Sequence, residues 1–326
     1  MLKNKKILFI GPIFHDYHLL IQNRLTAMGA IVSFHPERNY GPIFKIINNF
    51  FNKRLKAYQQ AHYSAVLKQI KGCQFDYLFV IRGYMLPEGF VEQFKEMNPG
   101  AKLIMYQWDS NRTNPFDHLL EAFDKVFSFD FEDCRQFPFL NYLPLFYSDD
   151  VRVKTKNDHT FEYDFFFMGW FYPERYDAVI KFKEFALKNG YTIKAFLFMP
   201  FTSYIKEYLR GNKLDRSIIS IKHMHRSEYL NILAKTNITV DASSPNQTGL
   251  AMRIIEALAS GTKILTNNYR IKDDFKIYNE SYVAFFDAQA PAVDPLFLAS
   301  KAPVEIKNLL SLEDWLKHIF LWDDKY

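Results

Sequence analysis

Apolar positions in the first half of the chain fall into short continuous runs and stretches with helical spacing. The runs predict strands over 6–10, 31–34, 76–81, 102–106, 125–129 and 142–145. The helical spacing predicts helices over 18–28, 43–70 and 88–97. Strands that are apolar throughout, separated by helices, argue for a parallel sheet covered on both faces. The polar, charged stretch 147–160 reads as a linker. Beyond it the alternation resumes, with strands over 164–168, 192–198, 218–222, 238–241 and 263–266. Helices are expected over 174–189, 203–210 and 227–234, and a further one is opened by Gly249 and stopped by Gly261. The segment 311–322 reads as an amphipathic helix, with Ser311 as N-cap and Glu313 and Asp314 in its first turn. The expected organisation is two consecutive α/β domains, 1–150 and 151–310, and a C-terminal helix in 311–326.

Composition narrows the class. A chain of 326 residues, 48% of them hydrophobic, can bury two sizeable cores and is not a disordered protein. It holds no apolar run of about 18 residues, so no spanning helix is expected. The apolar run after the basic residues 1–6 reaches Gly11-Pro12 at once and reads as a first strand, not a signal peptide. Cys73 and Cys134 have no metal-ligand spacing and form no disulfide framework, which fits a reducing cytoplasm.

The net charge of +5 is unevenly placed: no acidic residue lies between Arg38 and Asp76. Lys45, Lys53, Arg54, Lys56, Lys68 and Lys71 share that interval with Phe44, Ile46, Ile47, Phe50, Phe51, Leu55 and Tyr58. Such a stretch, 43–71, fits either the surface of an anionic membrane or an ordinary helix whose aromatic face enters the core. No recognised nucleic-acid module accompanies the charge, so nucleic acid is not an expected partner.

The densest chemistry lies in 240–268. A strand ends in Asp241, a turn-rich loop covers 242–248, and a helix follows. A small-residue loop feeding a helix start offers backbone N–H groups and the positive end of the helix dipole to a phosphate or pyrophosphate. Arg253 and Glu256, three residues apart, share one helical face; one could hold phosphate and the other accept hydrogen bonds from a ribose.

Glu256-Ala257-Leu258-Ala259-Ser260-Gly261 resembles the donor-site signature of GT-B glycosyltransferases, and the alternating α/β order around it is compatible throughout. The resemblance implies two Rossmann-like domains with parallel sheets facing a central cleft, and a C-terminal helix that packs back on the first domain. It makes Glu256 the carboxylate that binds the nucleotide ribose. The first Glu of the usual pair falls at Thr248, a departure that touches the contact to the donor sugar. Gln247-Thr248-Gly249-Leu250 with Arg253 and Glu256 looks more like bacterial surface-polysaccharide transferases and the CgeB-like group. By the same resemblance the Gly169 loop with Arg175 faces the donor phosphates, and His223 and Met224 contact the base.

In the first half, Gly11-Pro12-Ile13-Phe14-His15-Asp16 is not a dinucleotide fingerprint. The resemblance implies that this loop lines the acceptor cleft, where His15 and Asp16 are candidates for acid/base or sugar-binding roles; a helix cap at Asp16 is the alternative. Trp108-Asp109 follows another expected strand and offers a stacking surface and a base for an acceptor hydroxyl, or again a cap. No metal site and no cofactor are expected: His223 and His225 lack a third partner, and the acidic clusters at Asp130, Glu132, Asp133 and at Asp149, Asp150 read as solvated.

The expected activity is transfer of a sugar from a nucleotide-diphosphate donor to a hydroxyl of a growing bacterial surface glycan. The acceptor would be a saccharide or lipid-linked saccharide, and the place of action the cytoplasm or the inner face of its membrane. A nucleotide-sugar epimerase of the same fold and a non-catalytic sugar- or nucleotide-binding protein of surface assembly are the competing readings.

Overall fold

The computed structural model describes residues 2–151, 161–243, 247–302, 306 and 308–321, and the chain divides into two compact units. The first is Met1–Pro144 with Leu312–Tyr326, and the second is Leu145–Ser311. Of the expected linker, 152–160 lie outside the described residues, as do 244–246 of the loop after Asp241.

The first unit runs β1 (Lys6–Gly11), α1 (Tyr17–Ala27), β2 (Ile31–Pro36), α2 (Pro42–Phe50), α3 (Asn52–Gln69), β3 (Tyr77–Ile81), α4 (Glu88–Met97), β4 (Lys102–Gln107), β5 (Lys125–Ser128), α5 (Phe131–Gln136) and β6 (Leu140–Tyr142). The six strands form one sheet in the order β2-β1-β3-β4-β5-β6, every neighbouring pair parallel. Parallel neighbours need crossovers, and the helices that supply them cover both faces. Hence Ile7, Leu8, Phe9 and Ile10 of β1 and Leu78, Phe79, Val80 and Ile81 of β3 are buried on both sides of the sheet.

The helix expected over 43–70 is two helices. Phe51, at φ −132° and ψ 47°, leaves the helical region between α2 and α3. Asn48, Asn49 and Asn52 surround that break, and Asn competes for backbone hydrogen bonds in non-helical geometry. In the acidic cluster 130–133 Glu132 is exposed as expected, but the two aspartates are not solvated. Asp130 and Asp133 are buried, and the Asp130 carboxylate caps α5 by accepting from the backbone N–H of Glu132 and Asp133. A cap satisfies helix-end donors that have no partner within the helix.

The second unit runs β7 (Phe146–Tyr147), β8 (Tyr163–Trp170), α6 (Pro173–Lys188), β9 (Ile193–Phe198), α7 (Phe201–Leu209), β10 (Ile219–Ser220), α8 (Arg226–Ala234), β11 (Thr236–Asp241), α9 (Met252–Ala259), β12 (Lys263–Thr266), β13 (Val283–Phe285), α10 (Pro295–Ala299) and β14 (Leu310–Ser311). Its main sheet has the order β10-β9-β8-β11-β12-β13, again all parallel, and β14 pairs with β7 apart from it. α9 begins at Met252, three residues after the Gly249 expected to open it; Ala251 holds the N-cap position in an extended conformation. Lys263 of β12 is fully buried, and its ammonium donates to the carbonyl oxygens of Phe297, Leu298 (2.9 Å) and Ser300 (2.6 Å). Those bonds satisfy the last carbonyls of α10 and fasten that helix to the sheet.

The C-terminal helix, α11 (Leu312–Phe320), is part of the first unit. Its Trp315, Leu316 and Ile319 are fully buried, with the Trp315 ring 4.7 Å from Tyr106 and the Phe320 ring 5.2 Å from Phe79. Glu313 in its first turn accepts from Arg24 of α1 at 3.0 Å. Four large apolar side chains on one face drive this docking, at about 1.5–3 kcal/mol for each fully buried side chain.

Candidate functional site

Both six-stranded sheets reverse their strand order next to their own first strand, and ligands of open α/β sheets sit outside the carboxyl ends of the strands at such a reversal. In the second unit the reversal lies between β8 and β11, because β9 and β10 extend the sheet on one side of β8 and β11 starts the other. Arg175, in the first turn of α6, joins the two strand ends. Its Nε donates to the carbonyl of Ala242 at 2.8 Å and its Nη1 to the carbonyl of Trp170 at 3.0 Å. A Cβ on Gly169 would lie 3.1 Å from the Phe167 ring and 3.5 Å from Arg175 Nη1, so glycine leaves room for the guanidinium and for any ligand that meets it.

Asp241, fully buried at the end of β11, organises the other side. One carboxylate oxygen accepts from Arg253, through Nε at 2.8 Å and through Nη2; the other accepts from Ser243 Oγ at 2.6 Å and Thr266 Oγ1 at 2.7 Å. Burial alone would raise the pKa of Asp241, but the adjacent Arg253 and the hydroxyl donors outweigh it and hold the carboxyl below its ordinary value. Burial and the nearby Arg253 together pull Arg175 down to about 10. Arg253 is paired with Asp241, while Arg175 bonds to backbone carbonyls and lies near enough to feel both charges, so two guanidiniums and one carboxylate leave a net positive charge at the strand ends. Such a cluster attracts an anion far more strongly than the same charges would in solvent.

The loop between β11 and α9 is held by the turn after β12. Asn267 accepts from the Ser243 N–H at 2.9 Å, and Asn268 donates to the Thr248 carbonyl at 3.1 Å. Gln247 donates to the Gly249 carbonyl at 3.5 Å, and Leu250 turns inward and is buried. Thr248, Gly249 and Gln247 thus line the approach to α9, whose first turn receives no side-chain cap from Ala251.

Glu256 and Arg253, expected to share one face, meet different partners. Glu256 is buried and accepts from Arg226 Nη2 at 2.9 Å. Arg226 is itself held by both oxygens of Asp150, at 2.6 and 2.7 Å, and by Ser148. The region expected to meet the base is aromatic: the His223 ring stacks on Phe198 at 3.6 Å, with Trp170 edge-on at 5.7 Å, and Met224, next in sequence to His223, is buried. Trp170 and Phe198 are the last residues of β8 and β9, so this surface borders the reversal.

In the first unit the reversal lies between β1 and β3. Four non-glycine residues with positive φ sit on its two loops: His15 (42°) and Asp16 (61°) after β1, Arg82 (66°) and Met85 (49°) after β3. Backbone in that region is costly and persists where surrounding contacts enforce it. Asp16 occupies the N-cap position of α1, yet its side chain makes no cap bond. Arg82 is enforced by Glu37, which follows β2 and is fully buried. Arg82 Nε donates to Glu37 at 3.0 Å, Nη2 donates to the second oxygen, and Nη1 reaches Asp109 at 3.3 Å. The Tyr84 N–H also donates to Glu37 at 3.2 Å, and Asn114 donates to the Arg82 carbonyl at 3.0 Å. Asp109 thus stands at the end of a rigid Glu37–Arg82 pair, partly open to solvent, with Trp108 packed on Tyr17 at 5.5 Å.

The sequence reading missed Glu37, Arg82, Arg226 and the bracing role of Asn267 and Asn268. Arg82 carried a usable signal, since it is a charged residue directly after an apolar strand, whereas Glu37 follows the mixed strand Ile31–Pro36. Arg226 carried none, because its partners lie 30 and 76 positions away. Among the described residues no group of three His, Cys, Asp or Glu side chains is placed to hold a metal ion, and no helix is long and apolar enough to cross a membrane.

No protein-family model and no curated protein matches this chain. Solved structures do match. The chain is similar to AviGT4, a glycosyltransferase involved in avilamycin A biosynthesis, at 13% identity over 97% of this chain and 92% of that one, with a TM-score of 0.57. It is similar to MurG of Acinetobacter baumannii at 9% identity over 97% and 98% of the two chains, with a TM-score of 0.53. It is also similar to MnaA of S. aureus, solved with UDP, at 10% identity over 88% and 85%, with a TM-score of 0.52. With two six-stranded parallel sheets in one chain and this likeness over nearly its whole length, the protein has the GT-B glycosyltransferase fold.

Proposed function

We propose that the protein is a glycosyltransferase that takes a sugar from a nucleoside-diphosphate donor and joins it to a hydroxyl of a bacterial surface glycan. The observation that carries this reading is the Arg175–Asp241–Arg253 cluster at the β8/β11 reversal, a buried site of net positive charge beside the start of α9. As the bond between the anomeric carbon and the diphosphate breaks, negative charge grows on the diphosphate. Arg253, Arg175 and the Gly249 backbone stabilise it there, so no metal is required for that step. Glu256 accepts from the ribose hydroxyls, and the His223–Phe198–Trp170 surface receives the base. On the first unit, Asp109 takes the proton of the acceptor hydroxyl while its oxygen bonds to the anomeric carbon. The acceptor is a saccharide or lipid-linked saccharide, and the place of action is the cytoplasm, at the inner face of the membrane. The pattern Gln247-Thr248-Gly249-Leu250 with Arg253 and Glu256 resembles that of bacterial surface-polysaccharide transferases and the CgeB-like group, which supports this reading.

The test is incubation with a panel of nucleotide sugars and saccharide acceptors, followed by product analysis. Release of free nucleoside diphosphate that rises with acceptor supports transfer. An isomerised donor with no diphosphate released would establish the epimerase reading, and binding without either product would establish a non-catalytic protein.

A further inference from the structure

We propose that the corner where α2 meets α3 is a membrane-docking surface that inserts apolar side chains between the headgroups of an anionic bilayer. This deepens the placement at the membrane proposed above and rests on it only for its purpose, since the surface is defined by its own residues. α2 carries two apolar faces. Phe44 points inward, buried, with its ring 5.0 Å from the Arg38 guanidinium and 6.3 Å from Tyr58. Ile43, Ile46 and Phe50 lie at spacings of three and four, the same-side spacing of a helix, and they point outward, 61%, 51% and 76% exposed. Phe51, at the break itself, is 51% exposed. Of the three phenylalanines in 43–51 the core therefore takes Phe44 and leaves Phe50 and Phe51, with Ile43 and Ile46, exposed to water. Such a patch marks an interaction surface.

Charge selects the occupant. Lys45 stands on α2, and Lys53, Arg54 and Lys56 open α3; all four are exposed, and Arg54 lies over the Phe51 ring at 5.9 Å. No acidic residue lies between Arg38 and Asp76 to offset them. A second copy meeting this patch about a two-fold axis would bring the same cations face to face. An anionic lipid surface instead attracts the basic side chains at a distance and accepts the isoleucine and phenylalanine side chains at the acyl boundary.

The experiment is sedimentation of the full chain with vesicles of phosphatidylglycerol and phosphatidylcholine mixed, and of phosphatidylcholine alone, at low and high salt. Binding to the mixed vesicles, weakened by salt, with little binding to phosphatidylcholine, is expected. Two variants separate the contributions. Lys53→Glu/Arg54→Glu/Lys56→Glu is expected to weaken binding about a hundredfold or more. Phe50→Ser/Phe51→Ser is expected to lose binding while the charge is untouched. Because these side chains are exposed, both variants should melt with the wild type and keep its nucleoside-diphosphate affinity, which separates this surface from the donor site. Equal binding to both vesicle types, no binding to either, concentration-dependent dimerisation in place of vesicle binding, or full binding by either variant overturns the proposal.

Discussion

Arg253→Met is expected to cost about 3–5 kcal/mol of stability at neutral pH and to abolish nucleoside-diphosphate binding. The large figure comes from what the substitution leaves behind. Asp241 is fully buried, and among the described residues the hydrogen bonds left to it without Arg253 come from the hydroxyls of Ser243 and Thr266, with Arg175 nearby but not bonded to it. The pH dependence gives a second reading of the same event. In the wild type Asp241 titrates below its unfolded value, so its contribution is present above the ordinary carboxyl range and is lost as pH falls through the folded value. In the variant the carboxyl is desolvated without its cation, and its pKa rises. The penalty should therefore be greatest at neutral and alkaline pH and shrink in acid, where the buried group is neutral. Urea unfolding at pH 7.5 and pH 4.5 checks this, and Asp241→Asn/Arg253→Met should recover much of the loss by removing the orphaned charge. A penalty that is independent of pH, or a double variant no better than the single, would show that the guanidinium acts through packing alone.

The second large effect is expected at the first unit's reversal. Arg82→Met leaves Glu37, which is fully buried, without its counter-ion, at a cost of about 3–5 kcal/mol. Adding Glu37→Gln should restore a good part of it, since removing both members of a buried pair costs less than breaking it. The same double variant keeps Asp109 but removes the guanidinium that fixes it. If Asp109 receives the hydroxyl proton, turnover should fall even where stability is restored. Donor affinity, which belongs to the second unit, should be unchanged. Full turnover in a stable double variant would leave the Glu37–Arg82 pair as a structural brace.

How far the sequence foretold this depended on the range of the interaction concerned. The main strands of both sheets were legible because each is an apolar run whose residues are shielded on both faces, as with Ile7–Ile10 or Phe165–Phe167. Short elements such as β13 and α5 fell below the window in which a period can be seen. The break at Phe51 had a local signal in Asn48, Asn49 and Asn52 that the apolar spacing across it concealed, whereas the late start of α9 had none, because local residues only bias a helix end and tertiary packing sets it. At the site, Arg253 and Glu256 were legible as chemistry but not as geometry. Spacing put them on one face, whereas the fold gives Arg253 to Asp241 and Glu256 to Arg226. Pairings between distant residues are set by the topology, and no local pattern in the chain encodes them.

The measurement that bears most directly on the central claim is the melting temperature of the full chain with UDP, GDP, dTDP and CMP, compared with that of Arg253→Met. A ligand at a hundred times its dissociation constant adds about 2.7 kcal/mol to the state that binds it. At least one nucleotide is predicted to raise the wild-type melting point by a corresponding amount and to leave that of Arg253→Met unmoved. No rise with any of the four, or an equal rise in the variant, would contradict a nucleotide-sugar site at the β8/β11 reversal.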